Sequence, residues 1–297
     1  MRGFMTDLFA NKDVNKLNLP TVIAFTAFHI LALITVIFLW DVRAALFTAV
    51  LYWMCIGWGI GMGYHRLHTH RAYKVPKWLD YLFAVCGSMT LQGGPISWVA
   101  THRVHHQLSD KPGDPHSPRD GAWWAHIIWM VVGDAMHNNT SVTARYAPDL
   151  AREPFYVWLN NWHWVPLTAF GIGAGIIGAI VVNPLFGLSL AFWCTFVRIV
   201  AGWHATWAVN SATHMWGSRR FHTKDDSRNN WWVALITFGE GWHNNHHAHQ
   251  ASARHGLAWY EVDITWMCIW FLGKLGIARN VKVAKIDAEV PAMERAA

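Results

Sequence analysis

The sequence predicts an all-α integral membrane protein, with four transmembrane helices in two hairpins beneath a cytosolic helical cap. Three observations carry that expectation. The 297 residues are 53% hydrophobic and only 14% charged, with 21 Trp and 15 Phe, which is too apolar for an ordinary soluble domain. Residues 21–40 and 44–64 contain no Asp, Glu, Lys or Arg over roughly the 20 residues that cross a bilayer. A second apolar pair follows at 164–182 and 185–209, split by Asn183-Pro184 and interrupted only by Arg198.

The turns inside each predicted hairpin, 41–43 and 183–184, carry almost no basic charge. Arg2, Lys12, Lys16, Arg66, Arg71, Lys74, Lys77, Arg219, Arg220, Lys224 and Arg228 flank the other helix ends. The positive-inside rule then places both termini and the central segment in the cytosol. Membrane orientation and attraction to anionic lipid account for the net charge of +6, so no nucleic-acid partner is expected. The run starting at Thr21 is too long for a signal-peptide core and is expected to remain as a helix. Arg198, costly inside a span, is expected to face the protein interior.

Between and after the hairpins, residues 65–163 and 210–297 form the expected cap. Their apolar runs, 83–91, 122–132 and 264–272, are too short to cross and suit interfacial helices. Gly93-Gly94-Pro95 and the Pro/Gly cluster at 111–115 mark breaks. No internal repeat is evident, and the chain 1–297 reads as one domain. Cys55, Cys86, Cys194 and Cys268 lie in apolar runs without CxxC spacing and read as buried small hydrophobes.

The 19 histidines are more informative in placement than in number. His65 and His70 follow the second predicted span. His102, His105 and His106 share the i, i+3, i+4 spacing of His243, His246 and His247, which on a helix turns three imidazoles to one side. Asn210 and His214 repeat an i, i+4 pair after the last span. Nine imidazoles and one amide on the cytosolic side exceed the four ligands of a structural zinc site or the three of a catalytic one, and suit two adjacent metals. Imidazole alone does not name the metal. His29, His126, His163, His204, His222, His249 and His255 are read as interfacial, packing or solvated, and His68 as exposed or behind the ligands.

In these residues the sequence resembles the membrane fatty acid desaturases, specifically the branch that introduces a first double bond into a saturated acyl chain. The motifs GYHRLHTHR, THRVHHQLSD, DPHSPRDGAWWAH, TWAVNSATHMWG and GEGWHNNHH occur in that family's order between Gly61 and Gly256. The resemblance implies two iron ions held by His65, His70, His102, His105, His106, His214, His243, His246 and His247, with Asn210 contacting one through water. It also implies an acyl tunnel beside Gln92, Trp98, Thr206 and Trp207, ending near Gly57 and Trp53, so that Trp53 limits chain length. Asp110, Asp114 and Glu240 are candidates to orient the imidazoles.

The reaction so implied is a cis desaturation, Δ9 by resemblance, consuming dioxygen and two electrons. The alternative is a histidine-box hydroxylase of an alkane, sterol or carotenoid, since the same metal chemistry serves both. Where relatives carry a basic pair that grips coenzyme A, this chain has Gly133-Asp134, and residues 145–150 resemble bacterial and cyanobacterial relatives. An acyl-lipid is therefore favoured over an acyl-CoA. No appended haem domain is evident, so a separate electron donor is expected, a ferredoxin or a b-type cytochrome with its reductase. The expected location is a bacterial inner membrane with the site facing the cytosol.

Overall fold

The computed structural model describes residues 16–133 and 140–285. Arg2, Lys12 and Asp134, used in the readings above, lie outside the described residues. Within them the chain is all-helical, with only isolated bridges such as Leu17 with Val132 and Lys74 with Arg279.

Among the described residues three helices are long and apolar enough to cross a membrane: α1 (Leu19–Phe38), α2 (Val42–Thr69) and, later, Pro184–Met215. The polar residues between the apolar runs set their starts. Asn18 accepts from Thr21 N–H ahead of α1, and Asp41 caps α2 by accepting from the backbone of Arg43 and Ala44. Each supplies an oxygen to a helix N-terminus whose first amides have no intrahelical partner.

After α2 come α3 (Lys77–Ser88) and α4 (Pro95–Leu108), followed by short turns of helix at Trp124–Ile128 and Trp129–Val131. Next come α5 (Pro154–Asn161) and α6 (Val165–Val181), bent by 69° at their junction, so the third predicted span is a helix of 17 residues or one arm of a broken span. Helix α7 (Pro184–Met215) is capped by Asn183, which accepts from Phe186 N–H at 2.8 Å. The chain closes with α8 (Trp231–Ile236), α9 (His243–Ala248) and α10 (Ile264–Lys274).

Close helix approach rests on glycine. A Cβ on Gly59 of α2 would lie 2.3 Å from the backbone of Gly87 in α3, and one on Gly187 of α7 would meet the Gly175 carbonyl of α6 at 2.4 Å. Small residues at such crossings let backbones pack without intervening side chains.

Two boundaries differ from expectation in a way that builds the site. Helix α2 does not stop at Tyr64 but continues to Thr69, and from Trp53 onward it is π-helical. Its closing bond runs from His70 N–H to the His65 carbonyl at 3.2 Å. Residues five apart diverge by about 140° on an α-helix, whereas the wider π turn stacks them. The His65 and His70 rings are accordingly 4.9 Å apart. Helix α7 likewise runs past Val209 to Met215, carrying Asn210 and His214 on its last turns.

Arg66 corrects the flank reading. It is fully buried and bonded to Glu240 and Asp263, not a charge at the membrane surface. Arg198 faces inward, donating to the carbonyls of Cys194 and Met89 at 2.8 and 2.9 Å. All four cysteines are free thiols; Cys268 is partly exposed and the others are buried.

Candidate metal centre

Four helices deliver imidazoles to two adjoining clusters. The first gathers His65 and His70 from the end of α2, His102 and His106 from α4, and His246 from α9; the second gathers His105, His214, His243 and His247. Within each cluster the candidate ligand atoms lie within 4.8 Å of one another. Helices α4 and α9 serve both clusters. On α4, His102 and His106 face the first and His105 the second; on α9, His246 faces the first while His243 and His247 face the second. The rings of His106 and His247 touch across the boundary at 4.6 Å.

The Nε2 atom of His246 lies 3.0 Å from Nε2 of His65 and 3.0 Å from Nε2 of His106, which is itself 3.0 Å from Nε2 of His102. In the second cluster His214 and His243 meet through Nε2 at 3.1 Å. An imidazole nitrogen carries one proton or one lone pair, so it cannot satisfy two such neighbours by hydrogen bonding. The Nε2 atoms of His70 and His247 are buried without any partner. Converging, crowded, unpartnered nitrogens are the donor set a transition-metal cation satisfies, and the residues fit the two-metal expectation.

The outward nitrogens are held by carboxylates. Nδ1 of His65 bonds Glu240 at 2.5 Å, that of His105 bonds Asp114 at 2.9 Å, that of His214 bonds Asp110 at 2.8 Å, and that of His247 bonds Asp225 at 2.9 Å. Such partners fix which nitrogen faces a metal and raise its basicity. Burial opposes ionisation of Asp110, but the hydrogen bond from His214 and its charge bring the carboxyl to about 2. Glu240 and Asp114 follow the same pattern, with Arg66 and His105 as the dominant counterweights to burial. Burial drives His70, His102, His106, His243, His246 and His247 well below the usual imidazole range, into the neutral form that ligates metals. His105 moves the other way, because Asp114 outweighs its burial.

Beside the clusters lies a cavity of about 440 Å³. Phe25 and Phe28 of α1 form one wall, Trp203, Thr206 and Trp207 of α7 another, and Gln92 and Trp98 close it near α4. His102, His116 and Asn210 line it where it meets the imidazoles. Gln92 donates to Thr206 Oγ1 at 2.9 Å and accepts from the Trp98 indole at 3.4 Å, tying the two walls together. Trp53 and Gly57, expected at the tunnel's end, are not among its lining. Trp53 instead packs over Gly57 and edge-on against Trp58.

Several contributors were not foreseen. Asp225 sits in a loop with no periodicity to mark it. His255, expected at the surface or in packing, is buried with its ring 4.4 Å from that of His246 and its Nδ1 3.3 Å from Glu240 Oε2. His116 is buried against His105. His68 points away from the clusters, bonded to Asp80 at 2.6 Å.

Two adjoining imidazole clusters, the first reaching an apolar cavity through His102, at the ends of membrane-length helices define a class: a membrane protein with a site able to hold metal beside an apolar cavity. The particular family follows from comparison with known proteins. The fatty acid desaturase family model matches residues 40–268, and the chain belongs to that family of oxygen-dependent oxidoreductases. It is similar to an sn-1 stearoyl-lipid 9-desaturase of Anabaena variabilis, 45% identical over 91% of this chain and 95% of the relative. An sn-2 palmitoyl-lipid 9-desaturase of Nostoc sp. (strain 36) is 43% identical over 88% of each chain. A chloroplastic palmitoyl-monogalactosyldiacylglycerol delta-7 desaturase of Arabidopsis thaliana is 45% identical over 76% of this chain and 58% of the relative.

Proposed function

We propose that this protein is an acyl-lipid desaturase that places a cis double bond at the Δ9 position of a saturated acyl chain, using dioxygen and two electrons from a separate donor. The observation that carries the reading is the meeting of the first imidazole cluster, which adjoins the second, with the apolar cavity at His102, Asn210 also lining that cavity. The names of the cyanobacterial relatives support a glycerolipid-bound substrate and the Δ9 position.

In this reading the nine clustered histidines would hold two irons, and Asn210 would contact one of them through water. When bound, the metals supply the dioxygen chemistry needed to remove hydrogen from unactivated methylenes. The chain's own residues do the rest. Glu240, Asp110, Asp114 and Asp225 hold the imidazoles in the ligating tautomer. Phe25, Phe28, Trp203 and Trp207 exclude water and grip the acyl chain, and the Gln92–Thr206 bond fixes the wall against which the reacting carbons rest. The whole is one domain with four spans, the α5–α6 pair forming a broken third, and the site faces the cytosol of a bacterial inner membrane. A ferredoxin or b-type cytochrome supplies the electrons.

The test is gas chromatography of fatty acid esters from a host expressing the chain beside His105→Ala. A new monounsaturated ester with its bond at C9, absent from the variant, is expected; a hydroxylated ester, or a product that survives the substitution, overturns the reading.

A further inference from the structure

The cavity beside the clusters carries a polar group that the fold leaves unanswered. Most of its polar lining is engaged: Gln92, Thr206 and Trp98 bond one another, Thr101 Oγ1 donates to the Ser97 carbonyl at 3.0 Å, and Ser97 Oγ meets Thr143 Oγ1 at 3.4 Å. His102, His116 and Asn210 lie where the cavity meets the imidazoles. Asn18 lines the same cavity and is only 8% exposed, yet its Nδ2 is buried with no hydrogen-bond partner among the described residues.

The Asn18 amide is held in one orientation. Its Oδ1 caps α1 by accepting from Thr21 N–H at 3.4 Å, its backbone N–H donates to the Val131 carbonyl at 2.9 Å, and its carbonyl accepts from Val22 N–H at 3.0 Å. Turning the side chain over would set its NH2 against the Thr21 N–H, donor against donor. With the oxygen committed to the helix, the two N–H groups of Nδ2 are left over. A buried donor without an acceptor is unfavourable, so this one suits an acceptor brought in by whatever occupies the cavity.

Depth and chemistry name that acceptor. Helix α1 has 20 residues, a length of about 30 Å, and a bilayer's hydrocarbon is about as thick. Asn18, immediately before it, therefore lies at the hydrocarbon boundary, the depth at which a glycerolipid carries its ester bonds. A saturated acyl chain is methylene along its length and polar only at that ester, whose carbonyl oxygen accepts hydrogen bonds and donates none. An NH2 donor at this boundary, on a cavity walled by Phe25, Phe28, Trp203 and Trp207, matches both parts of such a molecule.

We propose that Asn18 donates through Nδ2 to the ester carbonyl of the bound acyl lipid, so that the chain is registered in the cavity from its ester end. The proposal deepens the acyl-lipid reading and rests on it for the identity of the chain. No bond is made or broken at Asn18; it is a binding residue that sets which carbons come to rest beside the imidazoles.

The experiment uses the purified full-length chain and two probes, methyl dibromostearate and the matching dibromooctadecyl methyl ether, which lacks only the carbonyl oxygen. Bromine quenches the cavity tryptophans, so binding is read without turnover, and the difference between the probes cancels quenching elsewhere on the surface. The unsubstituted chain should bind the ester about fivefold more tightly than the ether, the worth of one hydrogen bond. Asn18→Ser and Asn18→Asp keep an oxygen to cap α1 and lose the amide donor. Each should lose the ester preference while holding the ether as before, and thermal unfolding identifies either variant that does not fold. Equal affinity for the two probes in the unsubstituted chain, a preference that survives in a folded variant, or equal weakening of both probes overturns the ester site. An Asn18-dependent preference in a chain that makes no desaturated product would instead overturn the functional reading and leave the site standing.

Discussion

Glu240 holds His65 and Arg66, neighbours in sequence, with opposite oxygens. Oε2 accepts from His65 Nδ1 at 2.5 Å, and Oε1 accepts from Arg66 Nε and Nη2 at 3.0 and 2.8 Å. Arg66 continues to both oxygens of Asp263, at 3.0 and 2.9 Å, and Asp263 caps α10 by accepting from Trp266 N–H. A buried charge network thus ties one imidazole of the first cluster to α10.

Glu240→Gln is accordingly expected to lower iron affinity and turnover by about 10 to 100-fold, the usual effect of losing a partner behind a ligating imidazole. Arg66→Met leaves two buried carboxylates without their cation and should destabilise the fold by about 3–5 kcal/mol. Thermal unfolding and bound iron, measured side by side, separate the two effects. Full iron and turnover in Glu240→Gln would remove the orienting role.

Asp225 is expected to act on the second cluster as Glu240 acts on the first, since it bonds His247 Nδ1. Asp225→Ala should cost iron and activity, while Asp225→Asn, which keeps an acceptor oxygen, should retain more of both. Equal behaviour of the two variants in metal analysis would contradict this.

Phe28 lines the cavity and Trp53 does not, so the two give opposite expectations for chain length. Phe28→Ala should lengthen the saturated chains accepted in a mixed lipid pool, and Trp53→Ala should leave the profile unchanged. A profile that shifts only with Trp53→Ala would place the end of the tunnel where the sequence resemblance puts it.

The Gln92–Thr206 bond joins the α4 side of the cavity to α7. Thr206→Val removes the acceptor at a cost of about 1 kcal/mol, and the product should spread over neighbouring bond positions without loss of iron. Unaltered bond position in the chromatogram would deny the wall its positioning role.

Much of this architecture is legible in the sequence, because hydropathy and helical spacing are local signals. Asp41 and Asn183 mark helix starts, and the i, i+3, i+4 trios name six imidazoles before any contact is known. The His65–His70 pair is less direct, since its five-residue spacing makes sense only on a π-helical turn. What spacing cannot disclose is which distant loop meets which ring. Asp225, 22 residues before His247, and Asp263, 197 residues after Arg66, become neighbours only through tertiary packing. Arg66 misleads for the same reason: a basic residue at a predicted helix end reads as a flank until its carboxylates are seen. His29, His126 and His204 likewise become neighbours only when α1, α7 and the turn Trp124–Ile128 meet.

The central claim, that nine histidines form a two-metal centre, is tested most directly by counting metal in the purified chain. Elemental analysis of the protein, of His70→Ala from the first cluster and of His243→Ala from the second should give two irons per chain in the parent and a reduced count in each variant. A parent that binds one metal or none, or variants that keep both, would contradict it.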